Sequence, residues 1–237
     1  MKIILCFCGV FLSICLHLPA QDSGRLIFQD DFQRGESQEI TDEPGNGWGT
    51  NSKGRAKNNK QVDLRDGAMY IYISPEANHA VSVTHPAEFT DGSVALRFKL
   101  DDEKDSLGLD FADLECKTVH AGHLFVAVIN PKQVTLRDMK TGSMNLIIQE
   151  ARLAKTLTKE QTQMLKEKEK SFPCPIETGK WHDLTVTIED DKLSAEIDGR
   201  PVGSLKSEGI AHPTKRMLRL SVPRNATVDD VKIRQKK

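Results

Sequence analysis

The sequence concentrates side chains that could do chemistry directly before the apolar run 124–129. These are the titratable residues Asp110, Asp113, Lys117, His120 and His123. Groups at the rim of a buried strand are partly desolvated, which shifts pKa values in ways that catalysis uses. Imidazole could take a proton from a hydroxyl or from a carbon next to a carbonyl, and carboxylates with imidazoles could share a divalent cation. The cluster is the first candidate site.

The spacing of the two histidines limits what they could do together. Side chains three apart on a strand point to opposite faces, so His120 and His123 could meet only if Ala121 and Gly122 form a turn or bulge. Asp110 and Asp113 are the tentative cation ligands of this cluster. The alternative for each histidine is a half-buried structural role in hydrogen bonding.

A second group surrounds His212. Pro213 holds His212 in an extended conformation, between Lys206 and Lys215, which is a plausible loop site for an anionic or hydroxyl-rich ligand. A surface turn is the alternative. Trp48 and Trp181 could each stack on a sugar ring, but large amphipathic residues more often complete a core, and core packing is predicted for Trp181 at the start of a strand.

Most of the chain is predicted to form short strands. Apolar and polar residues alternate, or β-branched and aromatic residues predominate, in the segments 67–73, 81–83, 93–100 and 184–189. Asp198-Gly199 between two such segments is a strong hairpin signal. The similar strands 26–32 and 227–233 could pair and bring the two ends of the chain together. Strands at this spacing favour a sandwich or barrel.

One segment breaks this pattern. Residues 149–170 contain no Gly or Pro and many helix formers, and Thr158 with Gln161 resembles a capping box. We therefore predict a helical insertion over about 149–170, in one or two pieces. Its charged residues are predicted to be a solvated face, with a partner-binding helix as the alternative.

The N-terminus has the pattern of a secretion signal. Lys2 precedes an apolar run over residues 3–16 that is short for a bilayer span, and Ala20 is a small residue suited to cleavage. We predict a signal peptide at 1–20 and one domain at 21–237, secreted or periplasmic, with no membrane span after cleavage. An uncleaved anchor and a lipoprotein attached at Cys15 are the alternatives.

Composition excludes several classes of protein. The net charge of −1 gives no basic balance for binding nucleic acid. The sequence has no serine-hydrolase elbow, P-loop, zincin motif or dinucleotide fingerprint. Cys116 and Cys174 are the two cysteines outside the predicted signal, and they could be bridged or free.

Several motifs together resemble a known family. They are residues 28–32 with Gly47-Trp48, His120-Ala121-Gly122-His123, residues 142–145, residues 179–182, residues 198–203, residues 209–215 and residues 228–233. With them, nearly the whole chain after residue 20 is similar to exported bacterial proteins of the 3-keto-disaccharide hydrolase type, which are themselves similar to concanavalin A-like lectins and glucanases and to laminin-G-like domains.

This resemblance implies an all-β, concanavalin A-like antiparallel jelly-roll sandwich with one helical insertion. It also implies a carbohydrate ligand on the concave sheet face and cleavage of a 3-keto-glycoside by elimination and hydration. The catalytic candidates are His120, His123, Asp110 and Lys117, and the substrate-binding candidates are His212, Lys215, Lys206 and Asn145. No certain cofactor is implied beyond a possible divalent cation.

The chain departs from the hydrolytic glucanases of this fold in one respect. It has no pair of glutamates on one strand that could act as nucleophile and acid. Whether the protein is an enzyme is therefore open from sequence, and the alternative is a non-catalytic glycan-binding or structural cell-surface module.

Overall fold

The computed structural model describes residues 24–236, so the predicted signal peptide lies outside the described residues. Within this range the chain is built mainly of β-strands. The strands are β1 (Arg25–Asp30), β2 (Gly49–Thr50), β3 (Val62–Arg65), β4 (Ala68–Tyr72), β5 (Val81–Phe89), β6 (Gly92–Lys99), β7 (Leu107–Ala112), β8 (His123–Asn130), β9 (Gln133–Asp138), β10 (Glu169–Pro173), β11 (Trp181–Glu189), β12 (Lys192–Ile197), β13 (Arg200–Lys206), β14 (Lys215–Val222) and β15 (Asn225–Gln235). The α-helices are α1 (Ser52–Arg55), α2 (Leu146–Leu153) and α3 (Lys159–Glu167).

The strands form two antiparallel sheets. The eight-stranded sheet has the order β13-β12-β11-β6-β15-β4-β3, with β1 also paired to β15. The seven-stranded sheet has the order β10-β9-β8-β7-β14-β5-β2. Neighbours in both sheets are often far apart in the chain, as in a jelly roll. The predicted all-β antiparallel sandwich is confirmed.

Alternation along the strands places the core between the sheets. On β11, Leu184, Val186 and Ile188 are buried, while the intervening threonines face outward. On the facing sheet, Phe111 and Phe125 stack with ring centroids 5.0 Å apart. Each such side chain contributes about 1.5–3 kcal/mol by leaving water. This burial holds the outer faces of both sheets in fixed positions.

Two predicted features of the strand arrangement are confirmed. Asp198 and Gly199 both have positive φ, at 52° and 72°, as a type I′ turn requires between β12 and β13. The first and last strands pair, with Asp30 opposite Val231. This pairing brings the start and the end of the described chain into one sheet.

The helical insertion forms two helices, α2 and α3. Thr158 and Gln161 make the predicted reciprocal capping box at the start of α3. The first helix begins at Leu146, before the predicted boundary at 149, because Asn145 Oδ1 accepts a hydrogen bond from the Ile147 N–H at 3.1 Å. Asn145, a predicted substrate ligand, is thus engaged as a helix cap.

The two tryptophans differ in burial. Trp48 is buried, which favours the core alternative for this residue, and its Nε1 donates to Asp30 Oδ2 at 2.8 Å. The prediction of core packing for Trp181 is wrong, because 37% of this residue is exposed. Leu184, Val186 and Ile188 point inward from β11, so the alternation of the strand places Trp181 on the outer face.

Both cysteines are free, which decides between the two alternatives left by the sequence. The Cys174 N–H donates to Lys132 O in the β8–β9 turn, and this turn lies next to the start of β7. Cys116 follows the end of β7, so the length of this strand separates the two cysteines. A strand of this length spans about 20 Å, well beyond the reach of a disulfide. No helix within residues 24–236 is both long and apolar enough to cross a membrane.

Candidate functional site on the outer face of the seven-stranded sheet

Asp110, His123 and Arg219 come together on the outer face of the seven-stranded sheet. Leu109 and Phe111 point into the core, so Asp110 between them points outward, and the strand register places Arg219 of β14 directly opposite. His123 Nδ1 hydrogen-bonds to Asp110 Oδ2. Arg219 Nη1 lies 3.4 Å from the same oxygen and 2.8 Å from His123 Nδ1. We call this the Asp110 triad.

The second carboxylate oxygen of Asp110 has no hydrogen-bond partner among residues 24–236. The Asp110 side chain is 6% exposed, and its Oδ1 is a buried acceptor without a hydrogen bond. A buried unpaired acceptor costs roughly 1–3 kcal/mol. A hydroxyl donor that reached Oδ1 would remove this cost.

A tight turn brings His120 next to His123. Ala121 has φ 50° and Gly122 has φ 74°, within one turn of 3₁₀ helix that precedes β8. A Cβ on Gly122 would lie 2.6 Å from Asp113 O, so the chain needs glycine there. The two imidazoles are consequently nearly parallel, with centroids 6.4 Å apart. This is the turn that the sequence required for the two histidines to meet.

A second cluster with the same chemistry lies beyond the end of β7. His212 Nε2 is 2.9 Å from Asp113 Oδ2, and Arg216 Nη1 donates to that oxygen at 2.8 Å. We call this the Asp113 triad. Burial opposes ionisation of Asp113, but His212, the Glu115 N–H and Arg216 outweigh it and hold the pKa of this carboxyl below its usual value. His212 Nδ1 is buried without a partner.

Sequence reasoning missed both arginines. Arg216 and Arg219 are three residues apart in β14. Asp110 and Asp113 are also three residues apart, and the antiparallel pairing of β14 with β7 therefore places one arginine beside each aspartate. Arg219 lies between Leu218 and Leu220, and this alternation is a local signal for an outward-facing residue. Which carboxylate it would meet depended on the pairing of strands more than 100 positions apart in the sequence.

Three predicted lysines lie away from the triads. Lys117 is exposed and donates to Leu114 O at 2.8 Å, and Lys206 is on the eight-stranded sheet, 3.6 Å from Asp191. The prediction that Lys215 binds substrate is wrong, because its side chain is fully buried and its Nζ donates to Thr90 O at 2.6 Å. Burial lowers the pKa of Lys215 to about 8.

The two aspartates predicted as metal ligands each already bind an arginine and a histidine. Within residues 24–236, the one group of three close metal-ligating side chains is elsewhere, at Glu36, Glu39 and Asp63. The Lys60 ammonium bonds to all three of these carboxylates. A protein cation therefore already lies among these acidic groups.

Asp110 also lacks a second carboxylate beside it on β7. Glycosidases that use two carboxylates need the pair on either side of the scissile bond. The positions that share the outer face of β7 with Asp110 are Gly108 and Ala112, neither of which can serve. The chemistry open to the triad is instead proton transfer by an imidazole that a carboxylate orients.

The two antiparallel sheets form a concanavalin A-like jelly roll. No family model matches the sequence, and no curated protein matches it. Among solved structures, the chain is similar to the laminarinase from Rhodothermus marinus, with a TM-score of 0.59, 11% identity and coverage of 90% of this chain and 98% of that one.

Two further structures share the fold. The β-glucanase of Bacillus licheniformis has a TM-score of 0.58 at 10% identity, covering 90% of this chain and 99% of that one. The carbohydrate binding module CBM66 from Bacillus subtilis has a TM-score of 0.52 at 12% identity, covering 79% and 95%. At such low identity these similarities show the fold.

Proposed function

We propose that this protein binds a carbohydrate at the Asp110 triad and cleaves a 3-keto-glycoside there. The observation that carries the proposal is the Asp110–His123 hydrogen bond on an outer sheet face, beside a buried carboxylate oxygen that has no partner. Structures of the same fold that are named as a laminarinase, a glucanase and a carbohydrate binding module support a sugar as the ligand class.

The proposed reaction is an elimination followed by hydration. When the His123 Nδ1–H donates to Asp110, the Nε2 lone pair, which lies 3.2 Å from Arg219 Nη1, is the base that takes the C2 proton once the substrate displaces that contact. The neighbouring 3-keto group acidifies this proton. The C2–H electrons form the C1–C2 double bond, the bond from C1 to the glycosidic oxygen breaks, and the leaving oxygen receives the proton. Water then adds across the double bond.

Arg219 and His120 complete this assignment. The Arg219 guanidinium lies against the imidazole and could stabilise the negative charge that develops on the 3-keto oxygen. His120 is exposed beside His123 and could contact the leaving sugar. Asp110 keeps the imidazole in one orientation, as a carboxylate does for a catalytic histidine elsewhere.

Turnover of a 3-keto-disaccharide and of the unoxidised disaccharide, followed by mass spectrometry, tests the proposal. His123→Ala should lower turnover of the keto sugar about 10²–10⁴-fold, the usual contribution of general base catalysis. His79→Ala is the matched control, because His79 is exposed and its Nδ1 contacts the adjacent Ala80 O. Equal turnover by wild type and His123→Ala would overturn the assignment.

A chelator arm tests the tentative divalent cation. We expect turnover to survive chelation, because Arg219 and Arg216 already provide positive charge at Asp110 and Asp113. Loss of turnover that added Mg²⁺ or Ca²⁺ restores would assign a cation to the site.

A second candidate is a glycan-binding protein without catalysis. It is favoured by Gly108 and Ala112, because neither can provide a second carboxylate beside Asp110 on the outer face of β7. In that case the wild type would bind sugars, measured by calorimetry, and leave both disaccharides intact. Binding lost in Asp110→Ala would still place the ligand at the triad.

We also propose that the chain is exported and that the signal peptide is removed after Ala20. The support is the short apolar run with a preceding lysine and a following small residue. Intact-mass measurement of the protein recovered from its native cells should give a chain that begins at Gln21. A mass that includes residues 1–20 would refute cleavage.

A further inference from the structure

The outer face of the eight-stranded sheet carries one exposed and two half-buried aromatic residues, Trp181, Tyr70 and Tyr72. Trp181 is the one aromatic among the large exposed hydrophobic side chains of residues 24–236. An exposed tryptophan ring loses the stabilisation that burial would give it, which often indicates that something else covers the ring. The Asp110 triad lies on the other sheet, so this ring does not belong to that site.

Strand register aligns Trp181 with further side chains across four strands. Lys99 of β6 is opposite Trp181, Thr227 of β15 is opposite Lys99, and Tyr70 of β4 is opposite Thr227. Neighbouring strands lie about 4.8 Å apart, so the row extends over about 14 Å. We call this row, with Arg97 and Tyr72 beside it, the aromatic strip.

The strip ends in aromatic groups on both sides. At one end, Arg97 lies 4.9 Å and Lys99 5.9 Å from the centroid of the Trp181 ring. At the other, Tyr70 and Tyr72 stack with centroids 5.4 Å apart. The Lys99 ammonium lies between the two ends with its donors, while Thr227 is buried. Rings at the ends with hydrogen-bonding groups between them suit a ligand that has apolar ring faces and many hydroxyls.

The charges of the strip argue against a polyanion as that ligand. Arg97 is 3.5 Å from Asp229 and 3.8 Å from Asp230, and Lys99 is 3.5 Å from Asp101. Because carboxylates accompany both cations, the strip has no positive excess to attract nucleic acid or an acidic polysaccharide. A neutral polymer does not need one.

We propose that the aromatic strip binds a neutral polysaccharide chain that lies across the strands of the eight-stranded sheet. One strand spacing is comparable to the length of one sugar ring in an extended chain, so the strip accommodates about three rings. Trp181 and Tyr72 stack on the terminal rings, and the Lys99 ammonium donates to hydroxyls between them. The surface holds the protein on a polymer while the opposite sheet keeps its own site.

Affinity electrophoresis in gels that contain hydroxyethyl cellulose, soluble β-1,3-glucan or polygalacturonate tests the proposal. The wild type should be retarded by at least one of the neutral polymers and not by polygalacturonate. Trp181→Ala should weaken that binding about tenfold, as expected for the loss of one aromatic contact, and Tyr72→Ala less. Trp181→Phe should retain part of the affinity.

Thr187→Ala is the matched control, because Thr187 lies on the same face of β11 outside the strip. His123→Ala should bind the neutral polymer as the wild type does, which separates this surface from the Asp110 triad. Thermal unfolding checks that each variant is folded. No retardation of the wild type by either neutral polymer, unchanged binding by Trp181→Ala, or salt-sensitive binding of polygalacturonate alone would each overturn the proposal.

Discussion

The outer faces of the two sheets each carry an arginine–aspartate pair across neighbouring strands, and the two pairs differ in burial. Arg219 lies 3.4 Å from Asp110 on the seven-stranded sheet, and Arg97 lies 3.5 Å from Asp229 on the eight-stranded sheet. The Arg219 side chain is 12% exposed, whereas that of Arg97 is 39% exposed. The two ion pairs therefore have nearly the same length but differ in how far water screens their charges.

The pKa values of nearby carboxyls show the same difference. On the eight-stranded face, burial raises the pKa of Asp229 and outweighs the Asp230 N–H and Arg97, which both favour the charged carboxylate, while the charge of Asp230 adds to the rise. Beside the Asp110 triad, His212 and Arg216 outweigh burial, and the pKa of Asp113 is lowered. The seven-stranded face thus stabilises the ionised Asp113 carboxylate in a buried position, while the other face presents the Trp181 ring to the solvent.

Removing the buried cation should have the largest effect on stability. Arg219→Met keeps the length of the side chain but leaves Asp110 with one charged partner fewer in a buried position. We expect a loss of about 2–3 kcal/mol at pH 7, near the lower end for a broken buried pair because Arg219 keeps some contact with water. Urea unfolding measures this loss. A loss below about 1 kcal/mol would mean that the triad is solvated.

Gly122→Ala tests the turn that aligns the two histidines of the seven-stranded face. The new Cβ would lie 2.6 Å from Asp113 O at a residue with φ 74°, so we expect a loss of about 2 kcal/mol and weaker sugar turnover. Gly179→Ala is the control, because Gly179 has the same φ but open space around a Cβ. Its loss should be about 1 kcal/mol. Equal losses would show that the contact with Asp113 is unimportant.

Two histidines, one in each sheet, should change the stability of the fold with pH in opposite directions. Burial lowers the pKa of His85, so the folded state binds its proton less readily and stability falls as pH drops below about 6.5. Burial also opposes the charge of His182, but Asp198 and Glu177 O outweigh it and raise its pKa. His182 therefore stabilises the fold below about pH 6.5, and this contribution is lost as pH rises through its folded-state pKa.

Urea unfolding of His85→Phe and His182→Gln between pH 5 and pH 8 checks the two signs. Compared with His85→Phe, the wild type should lose stability towards pH 5. Compared with His182→Gln, it should lose stability towards pH 8. Parallel profiles for either variant and the wild type would contradict that assignment.

The exposed pair should have the smallest effect. Arg97→Met removes the charge of a side chain that is 39% exposed. Its partner Asp229 has a pKa that burial already raises, so we expect the free energy of unfolding to change by no more than about 0.5 kcal/mol. Urea unfolding beside Arg219→Met completes the comparison. A loss equal to that of Arg219→Met would show that burial does not distinguish the two faces.

Local patterns in the sequence predicted much of this fold and part of the site. Alternation identified the strands, Asp198-Gly199 identified the hairpin, and Thr158 with Gln161 identified the start of a helix, because each depends on residues close together in the chain. Asp110 and His123 were chosen as candidates for their chemistry and their place beside a buried strand. Their roles in catalysis stay predictions.

The partners of those residues could not be predicted from local patterns. Arg219 and Arg216 reach the aspartates only through the pairing of β14 with β7, and Lys215 turns inward at the irregular start of β14. Residues 209–215 looked like a ligand loop. In the structure Gly209 packs against buried Asp138, and His212 is the member of that loop that reaches an Asp triad.

The sequence by itself determined the strands, the turns, the helix caps and the candidate chemistry, since side-chain periodicity and backbone preferences act over a few residues. Apart from the β12–β13 hairpin and the pairing of the first and last strands, tertiary structure decided which strands are neighbours, and with that which charges are paired, which lysine is buried and which tryptophan is exposed. The reason is that burial and strand register depend on contacts between distant segments. Asp110 is a candidate site residue by its sequence, and it has a defined environment only because β8 and β14 flank it.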